Sequence, residues 1–316
     1  MHPLRELQLK RKYSEGWYVQ RWLRRHLVVA HANTPRVFFL HRTVIPLLLQ
    51  NGECTFKDII FELTSTGVVG SYPVNSCVRP KVEIPGIDGE YEAVQFHIHS
   101  SSEHTIDGEH FGAELHTVHT EVGGDRFAVV GMMIQPGGEE NNAMFGELLT
   151  GWQALLDSNL DLCETTSAAR QGEERRKLAE ETTSSNANLS SEIFSPYMLI
   201  PEGSTYYHYD GGLTTPPCSE VVWWNLADKP VSLDPAQFLQ LIEIIINYVD
   251  AKCGAGTFAG PAGSTARPTV ALNGRTVDRF CPVGFVEEKV DDSSAATFSL
   301  STLLVGAAFV GTAIFF

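Results

Sequence analysis

One short stretch of the chain holds most of its histidines. Residues 95–119 read QFHIHSSSEHTIDGEHFGAELHTVH and contain six of the eleven: His97, His99, His104, His110, His116 and His119. Both ends of the stretch are short β-branched runs, whereas Ser, Asp and Gly fill its middle. This pattern predicts two strands joined by a turn.

The spacing of these histidines predicts a shared face. Side chains alternate along a strand, so His97 and His99 point to the same side. In the second run the same alternation places Glu114, His116 and Val118 on one face. Seventeen residues separate His99 from His116, which is enough for a turn and a return strand. The sequence therefore predicts that three imidazoles converge on one point.

Three imidazoles without a fourth protein ligand are typical of a catalytic zinc site with an open position, because structural zinc is normally closed by four ligands. The alternative is that an HxH pair lies on a surface strand and binds nothing. The acidic neighbours favour the metal. A ligating imidazole needs a partner for its other nitrogen; Gln95 can serve His97 and Glu114 can serve His116. Glu103 is a further candidate for a buried acid.

The rest of the chain predicts a sheet-dominated domain with few helices. Short runs such as TFKDIIFEL, RFAVVGMMIQ and EVVWWNL are separated by turn residues. Apolar spacing predicts helices over 144–157 and 235–249, the second opened by Asp234 and Pro235. Residues 163–190 are polar and are interpreted as a surface insertion with a short solvated helix at its centre.

Charge excludes one class of partner. The formal net charge is −15, and a nucleic acid partner would require clustered Lys and Arg. Residues 1–50 are different, with nine basic and two acidic residues. This basic N-terminal segment has no early apolar core, so we do not predict a secretory signal from it. A transit peptide and an incomplete N-terminus both remain open.

The other end predicts a membrane attachment. Residues 297–316 read TFSLSTLLVGAAFVGTAIFF, which is uncharged and long enough to span a bilayer. Small residues precede it, in the order of a lipid-anchor (GPI) signal. We therefore assign 291–316 to a hydrophobic tail and expect the protein at a membrane, at the cell surface or outside the cell. A GPI signal, a retained transmembrane anchor and a buried terminal helix stay open.

Five segments resemble the α-class carbonic anhydrases. They are QFHIH, SEHTIDG, AELHTVH, FSPYMLIPEGSTYYHYDGGLTTPPCSEVVWWNL and ARPTVALNGR, which span about residues 80–275. The resemblance implies a mostly β (α+β) domain over 51–290. It would be built around a large twisted, mainly antiparallel sheet with a few surface helices and zinc at the base of a conical cleft.

The resemblance also implies an activity, the reversible hydration of CO₂ to bicarbonate and a proton by a zinc-bound hydroxide. The protein would thus be a carbonate dehydratase, a zinc lyase. His97, His99 and His116 match the zinc ligands. Thr214 matches the residue that accepts a hydrogen bond from the hydroxide and donates its own to Glu103.

A substrate pocket is implied in the same way. Val118, Val129, Leu213 and Trp224 match the apolar wall against which CO₂ rests. Thr215 matches a threonine that contacts bicarbonate. The expected partner is thus a small molecule, CO₂ or bicarbonate; protein partners stay open.

Several matching positions are structural. His104 and Arg267 belong to this group, and His104 is placed among the groups that support the ligands. His119 is assigned to packing and His110 to a turn. The family often has an asparagine just before the ARP segment, but this chain has Thr265 there, so one supporting contact is expected to be missing.

The resemblance fails at two other positions. Val68, after Gly67, stands where the family usually carries a histidine that shuttles protons, so we expect turnover that depends on buffer. Cys218 matches one half of a disulfide in secreted members, with Cys54 as the first and Cys77 as the second expected partner.

Three functions follow as hypotheses. The first is an active carbonic anhydrase, because all three histidines, Glu103 and Thr214 are present. The alternative is a noncatalytic zinc-binding or adhesion module on the same fold. A third is a zinc esterase, which the small apolar pocket disfavours.

Overall fold

Strands account for most of the regular structure. The computed structural model describes residues 46–168, 188–254 and 264–281, all within one compact unit, Met1–Val283. In these ranges the strands are β1 Leu48–Gln50, β2 Ile60–Thr64, β3 Gly67–Ser71, β4 Lys81–Glu83, β5 Tyr91–His99, β6 Ala113–Glu121, β7 Phe127–Pro136, β8 Tyr206–Gly211, β9 Val222–Ala227, β10 Val231–Leu233 and β11 Asp278–Phe280. The helices are α1 Ala143–Ala168 and α2 Pro235–Ile246.

All eleven strands join one sheet. Its main path runs β1-β4-β5-β6-β7-β9-β8-β11, while β3 pairs with β2 and β5, and β10 pairs with β7. The β7 strand is parallel to β9 and to β10. The other eight pairings are antiparallel. The sheet is thus mixed but mainly antiparallel, which confirms the predicted fold class.

The α2 helix begins at a recognisable cap. The Asp234 carboxylate accepts hydrogen bonds from the backbone N–H groups of Ala236 at 2.8 Å and Gln237 at 3.4 Å, and Pro235 occupies the first turn of α2. Such residues stabilise helix starts because the first N–H groups lack partners within the helix. The α1 helix is longer than predicted and continues to Ala168. It therefore enters the range assigned to the polar insertion, of which residues 169–187 lie outside the described chain.

Aromatic packing fixes α1 against the sheet. Trp152 is fully buried and lies edge-on to Phe61 and Phe96, with ring centroids 5.7 Å and 6.2 Å away. Its indole N–H donates to the Val69 carbonyl at 2.7 Å. Buried aromatic pairs of this kind stabilise beyond their area. The large core consequently lies on the face of β5 that carries Phe96, opposite the face that carries the histidines.

The cysteine pairing corrects the sequence prediction. Cys54 is bonded to Cys77, so neither is available to Cys218, which is a free thiol. The Cys163–Cys253 disulfide connects the end of α1 to the segment after α2. Cys281 is the second free thiol. The expected pairing of Cys218 was wrong because Cys54 and Cys77 lie on two adjacent loops that meet each other. The match to family positions gave no information on that contact.

Neither terminal prediction falls on described residues. The basic segment lies outside them as far as residue 45, and the hydrophobic tail 291–316 lies outside them entirely. Among the helices that the structure describes, none combines the length and apolar character required to span a membrane.

Candidate metal centre

Two central strands place the three histidines on one face. In the β5–β6 pairing, His97 lies opposite His116 and His99 opposite Glu114. Directly opposed residues of an antiparallel pair share a face. The alternation expected from sequence is therefore the alternation that the two strands adopt.

The three imidazoles surround a common point. Their ring centroids are 4.8 Å apart for His97 and His99, 5.0 Å for His97 and His116, and 5.2 Å for His99 and His116. One nitrogen from each ring lies within 4.8 Å of the others. The geometry can hold a single metal ion between them.

In His97 and His116, the hydrogen-bond partner of the outer ring nitrogen leaves the inner ring nitrogen free to bind a metal. His97 Nδ1 lies 2.8 Å from Gln95 Oε1, and since an amide oxygen can only accept, Nδ1 carries the proton. His116 Nε2 lies 2.7 Å from Glu114 Oε1, which assigns that proton in the same way. His97 Nε2 and His116 Nδ1 are left as lone-pair donors and lie 3.2 Å apart.

His99 and Glu103 carry buried atoms without partners. Neither ring nitrogen of His99 has a hydrogen-bond partner within the described ranges, nor does Glu103 Oε2, which lies 3.6 Å from His99 Nε2. Buried polar atoms are normally paired because desolvation is costly. A metal ion beside His99 would remove this cost, so the residues present fit a metal.

The Glu114 carboxylate is fixed next to the histidines by hydrogen bonds. Its side chain is completely buried. Oε2 accepts the backbone N–H groups of Glu103 and His104 at 2.9 Å and 2.8 Å, and Oε1 contacts His104 Nδ1 at 2.6 Å as well as His116. Four donors thus hold one carboxylate in a fixed orientation.

Burial keeps His97 and His99 in the neutral form that binds metal. Burial, and after it the charge of nearby His116, lowers the pKa of His99 to about 4. Burial also lowers the pKa of His97 well below its usual value, with His99 contributing next. Burial alone would raise the pKa of Glu114, but the charges of His104 and His116 and their hydrogen bonds hold that pKa well below its usual range. Two neutral imidazoles, those of His97 and His99, beside an ionised carboxylate are ready to coordinate a cation.

The residues predicted to form the apolar wall do pack together. Val118, Val129 and Trp224 belong to a small buried cluster that is separate from the main core, and Leu213 packs against it. Val222, fully buried, is a fifth member that the sequence analysis missed. Its place in the EVVWWNL run gave no signal, because alternation alone cannot tell which apolar face meets the site.

Thr214 and Thr215 are less closely connected to the site. Thr214 lines a cavity of about 660 Å³ together with Glu103, Leu213 and Trp224. No hydrogen bond joins Thr214 to Glu103, whose Oε2 has no partner in the described part of the chain. Thr215 is exposed, and its carbonyl accepts the Cys218 N–H in a turn at 2.9 Å. The three histidines do not line this cavity, so it adjoins the metal centre without enclosing it.

Val68 does not face the histidines. It is 1% exposed within the main core and lies opposite Ile98, whereas its neighbour Val69 lies opposite His97. The residue on the cleft side of β3 is therefore Val69. The match of Gly67 to the family pattern led to Val68, the position next to Val69, and the Val68 side chain points into the core.

Three residues that are not expected to bind the metal, Arg267, Thr265 and His119, make hydrogen bonds within the fold. The Arg267 backbone N–H donates to Glu103 Oε1 at 2.9 Å. Thr265, at the position that lacks asparagine, accepts the Ser100 N–H through Oγ1 at 3.1 Å. His119 Nδ1 donates to the Ala128 carbonyl at 2.9 Å, which agrees with a packing role.

A curled, mainly antiparallel sheet with three converging histidines that could hold a metal ion defines a class of fold and site. Comparison with known proteins places the chain within that class. Residues 46–280 match the family model of the eukaryotic-type carbonic anhydrases. The chain belongs to this family.

Individual relatives agree with this assignment. Carbonic anhydrase 4 of Mus musculus is 31% identical over 180 residues, covering 52% of this chain and 50% of that protein. Alpha carbonic anhydrase 3 of Arabidopsis thaliana is 30% identical over 190 residues, covering 60% of this chain and 53% of that protein. Each alignment spans about half of the relative's own length.

Solved structures show the same fold. The chain matches carbonic anhydrase Cah3 of Chlamydomonas reinhardtii, solved with acetazolamide, at a TM-score of 0.50 and 24% identity, covering 76% of this chain and 87% of that one. It matches dioscorin, solved with ascorbate, at a TM-score of 0.52 and 21% identity, covering 77% and 81%. At these identities the likeness concerns the fold alone.

Proposed function

We propose that this protein binds one zinc ion through His97, His99 and His116 and hydrates CO₂ reversibly to bicarbonate and a proton. The observation that carries the proposal is the pair of inner nitrogens, His97 Nε2 and His116 Nδ1, left free for a metal by Gln95 and Glu114. Nitrogen ligands of this kind suit Zn²⁺, and three of them leave one position open.

Zinc would supply a Lewis acid that lowers the pKa of a water molecule to about 7, a magnitude for which carbonic anhydrase is itself the standard example. The chain's own residues supply the rest. Gln95 and Glu114 orient the imidazoles, and Glu114 carries a negative charge that balances the cation. Glu103 offers a buried acceptor, Oε2, and lines the same cavity as Thr214.

The apolar cluster favours a small nonpolar substrate. Val118, Val129, Val222 and Trp224 are each at least 90% buried, and Leu213 closes the group. A wall of this kind excludes water and offers CO₂ no polar competitor. It also argues against a bulky ester, for which the cluster would have to open. Thr214 and Thr215 are proposed to contact the substrate oxygens and bicarbonate.

One experiment separates catalysis from zinc binding alone. Zinc content and CO₂ hydration are measured for the wild type, for His97→Ala and for the control His110→Ala, which removes an exposed histidine outside the centre. We expect one equivalent of zinc and activity in the wild type and control, and neither in His97→Ala. Zinc without hydration in the wild type would favour the binding-module alternative. Hydration that survives His97→Ala would overturn the ligand assignment.

We also propose that the protein works at a membrane surface on the extracytoplasmic side, held there by residues 291–316. The two disulfides support an oxidising compartment, since disulfides rarely persist in the cytosol. Expression in animal cells followed by phospholipase C treatment tests the anchor. Release of active protein would support a GPI anchor, whereas retention with Phe316 present in C-terminal mass spectra would support a transmembrane tail.

A further inference from the structure

A continuous chain of contacts leads away from the metal centre to β8. The Tyr209 hydroxyl lies 2.6 Å from His104 Nε2. His104 Nδ1 lies 2.6 Å from Glu114 Oε1, and the same oxygen lies 2.7 Å from His116 Nε2. Three short contacts thus connect a tyrosine to a proposed zinc ligand that is far from it in sequence.

The chain of contacts fixes the orientation of His104. The Glu114 carboxylate can only accept, so both His104 Nδ1 and His116 Nε2 donate to its Oε1. The opposite nitrogen of His104 is held by Tyr209. Rotation of the His104 ring would therefore break two contacts, one at each end of the imidazole. Without the hydroxyl, the ring would keep its hydrogen bond to Glu114 and its packing against Trp224, but the opposite nitrogen would lose its partner.

Two further contacts hold the Tyr209 ring. Its ring stacks on Trp224 with an interplanar angle of 8° and a centroid distance of 6.2 Å. The Arg275 guanidinium lies 5.5 Å from the ring centroid, and that guanidinium donates to the carbonyls of Leu272 and Ala271 at 3.0 Å each. Stacking and a cation–π contact both restrict the ring. The hydroxyl is thus presented to His104 from a rigid position.

We infer that Tyr209 is a positioning residue for His116: acting through His104 and Glu114, it determines how tightly the centre retains its metal. This inference rests on the proposed zinc site. The outer partners of ligating histidines typically change metal affinity by about 10–100-fold when they are removed. Tyr209 lies two contacts beyond Glu114, so we expect the lower end of that range, with little effect on the CO₂ step of the loaded enzyme.

The test compares Tyr209→Phe with Tyr207→Phe in the full chain. Tyr207 lies on the same strand but makes no contact with His104, so its variant removes a matched hydroxyl. Zinc is loaded into each protein, and its release to a chelator in excess is followed together with the melting temperature. We expect roughly tenfold faster release from Tyr209→Phe only. Equal release from both variants would overturn the inference. An equal fall in the melting temperature of both variants would then show that a general loss of stability explains the release.

A second measurement covers the case in which Tyr209→Phe does not fold. In wild-type protein labelled with ¹⁵N-histidine, NMR should detect a slowly exchanging ring proton on His104 Nδ1, with or without zinc. A rapidly exchanging proton there would overturn the inference. The two proposals fail separately: wild type that binds no zinc contradicts the metal site, whereas wild type that binds zinc but releases it independently of Tyr209 contradicts only the positioning role.

Discussion

Val69 lies directly opposite His97 across the β3–β5 pair, whereas Val68 lies opposite Ile98 in the core. The two neighbours thus separate the metal face of the sheet from its packed face. We expect Val69→His to bring a group that titrates near neutrality to the metal side and to raise CO₂ hydration in dilute buffer by roughly tenfold.

Val68→His and Val69→Gln are the matched variants. An imidazole at Val68 would be buried among apolar side chains, at a cost of about 1–3 kcal/mol of unfolding free energy and without gain in turnover. Glutamine at Val69 faces the same side but cannot carry a proton. Turnover is measured against buffer concentration. A gain in Val68→His alone would show that the side chain of residue 68, not that of residue 69, lies on the metal face of β3.

The shared face of His97 and His99 was predictable because it depends only on the two-residue repeat of a strand. His116 joins them because the register of the β5–β6 pair places it opposite His97. The start of α2 was predictable for a similar reason, since Asp234 and Pro235 act locally. Both predictions needed no knowledge of the remaining chain.

Contacts between distant segments were not predictable in this way. The Cys54–Cys77 pairing depends on which loops meet, and the contact of Tyr209 with His104 joins positions 105 residues apart. The length of α1 escaped prediction because its last turns are polar and carry no apolar repeat. For Val68, the family pattern identified the correct part of β3 but missed the position by one residue. A shift of one residue places the side chain on the opposite face of the strand.

Glu114→Gln should weaken both the fold and the metal site. The carboxylate accepts four donors at present, and an amide would direct its own N–H groups at two of them. Losing hydrogen bonds to a buried charge costs about 3 kcal/mol of unfolding free energy. Urea denaturation of the metal-free protein measures this, with the exposed Glu62→Gln as control. A change no larger than that of the control would contradict the anchoring role of Glu114.

Gln95→Ala should reduce zinc affinity by about tenfold because His97 Nδ1 loses the acceptor that fixes its tautomer. Gln95→Glu keeps an acceptor and should retain most of the affinity. Competition with a chelator gives the affinities, and Gln50→Ala, at the sheet edge, serves as the control. If the alanine and glutamate variants lose the same affinity, the acceptor is not what matters.

The Cys163–Cys253 bridge should be the more stabilising disulfide. It closes 90 residues and Cys54–Cys77 closes 23, so chain entropy predicts losses of about 4.6 and 3.4 kcal/mol when each is replaced by serine pairs. Cys218→Ser removes a free thiol and should cost little. Denaturant unfolding without reductant compares the three, and a smaller loss for the longer loop would point to structure that persists in the unfolded chain.

His119 should make the metal-free protein less stable in acid. Burial lowers its pKa to about 4, whereas an unfolded histidine titrates near 6.5. The unfolded state therefore binds more protons between these values, so the stability is fully present above pH 6.5 and falls as the pH decreases towards 4. A shift of this size corresponds to about 3 kcal/mol. His119→Gln, which cannot titrate, should lose that much less unfolding free energy than wild type over the same range, while the exposed His110→Gln should follow wild type. Parallel pH profiles for all three proteins would show that His119 does not contribute to the acid transition.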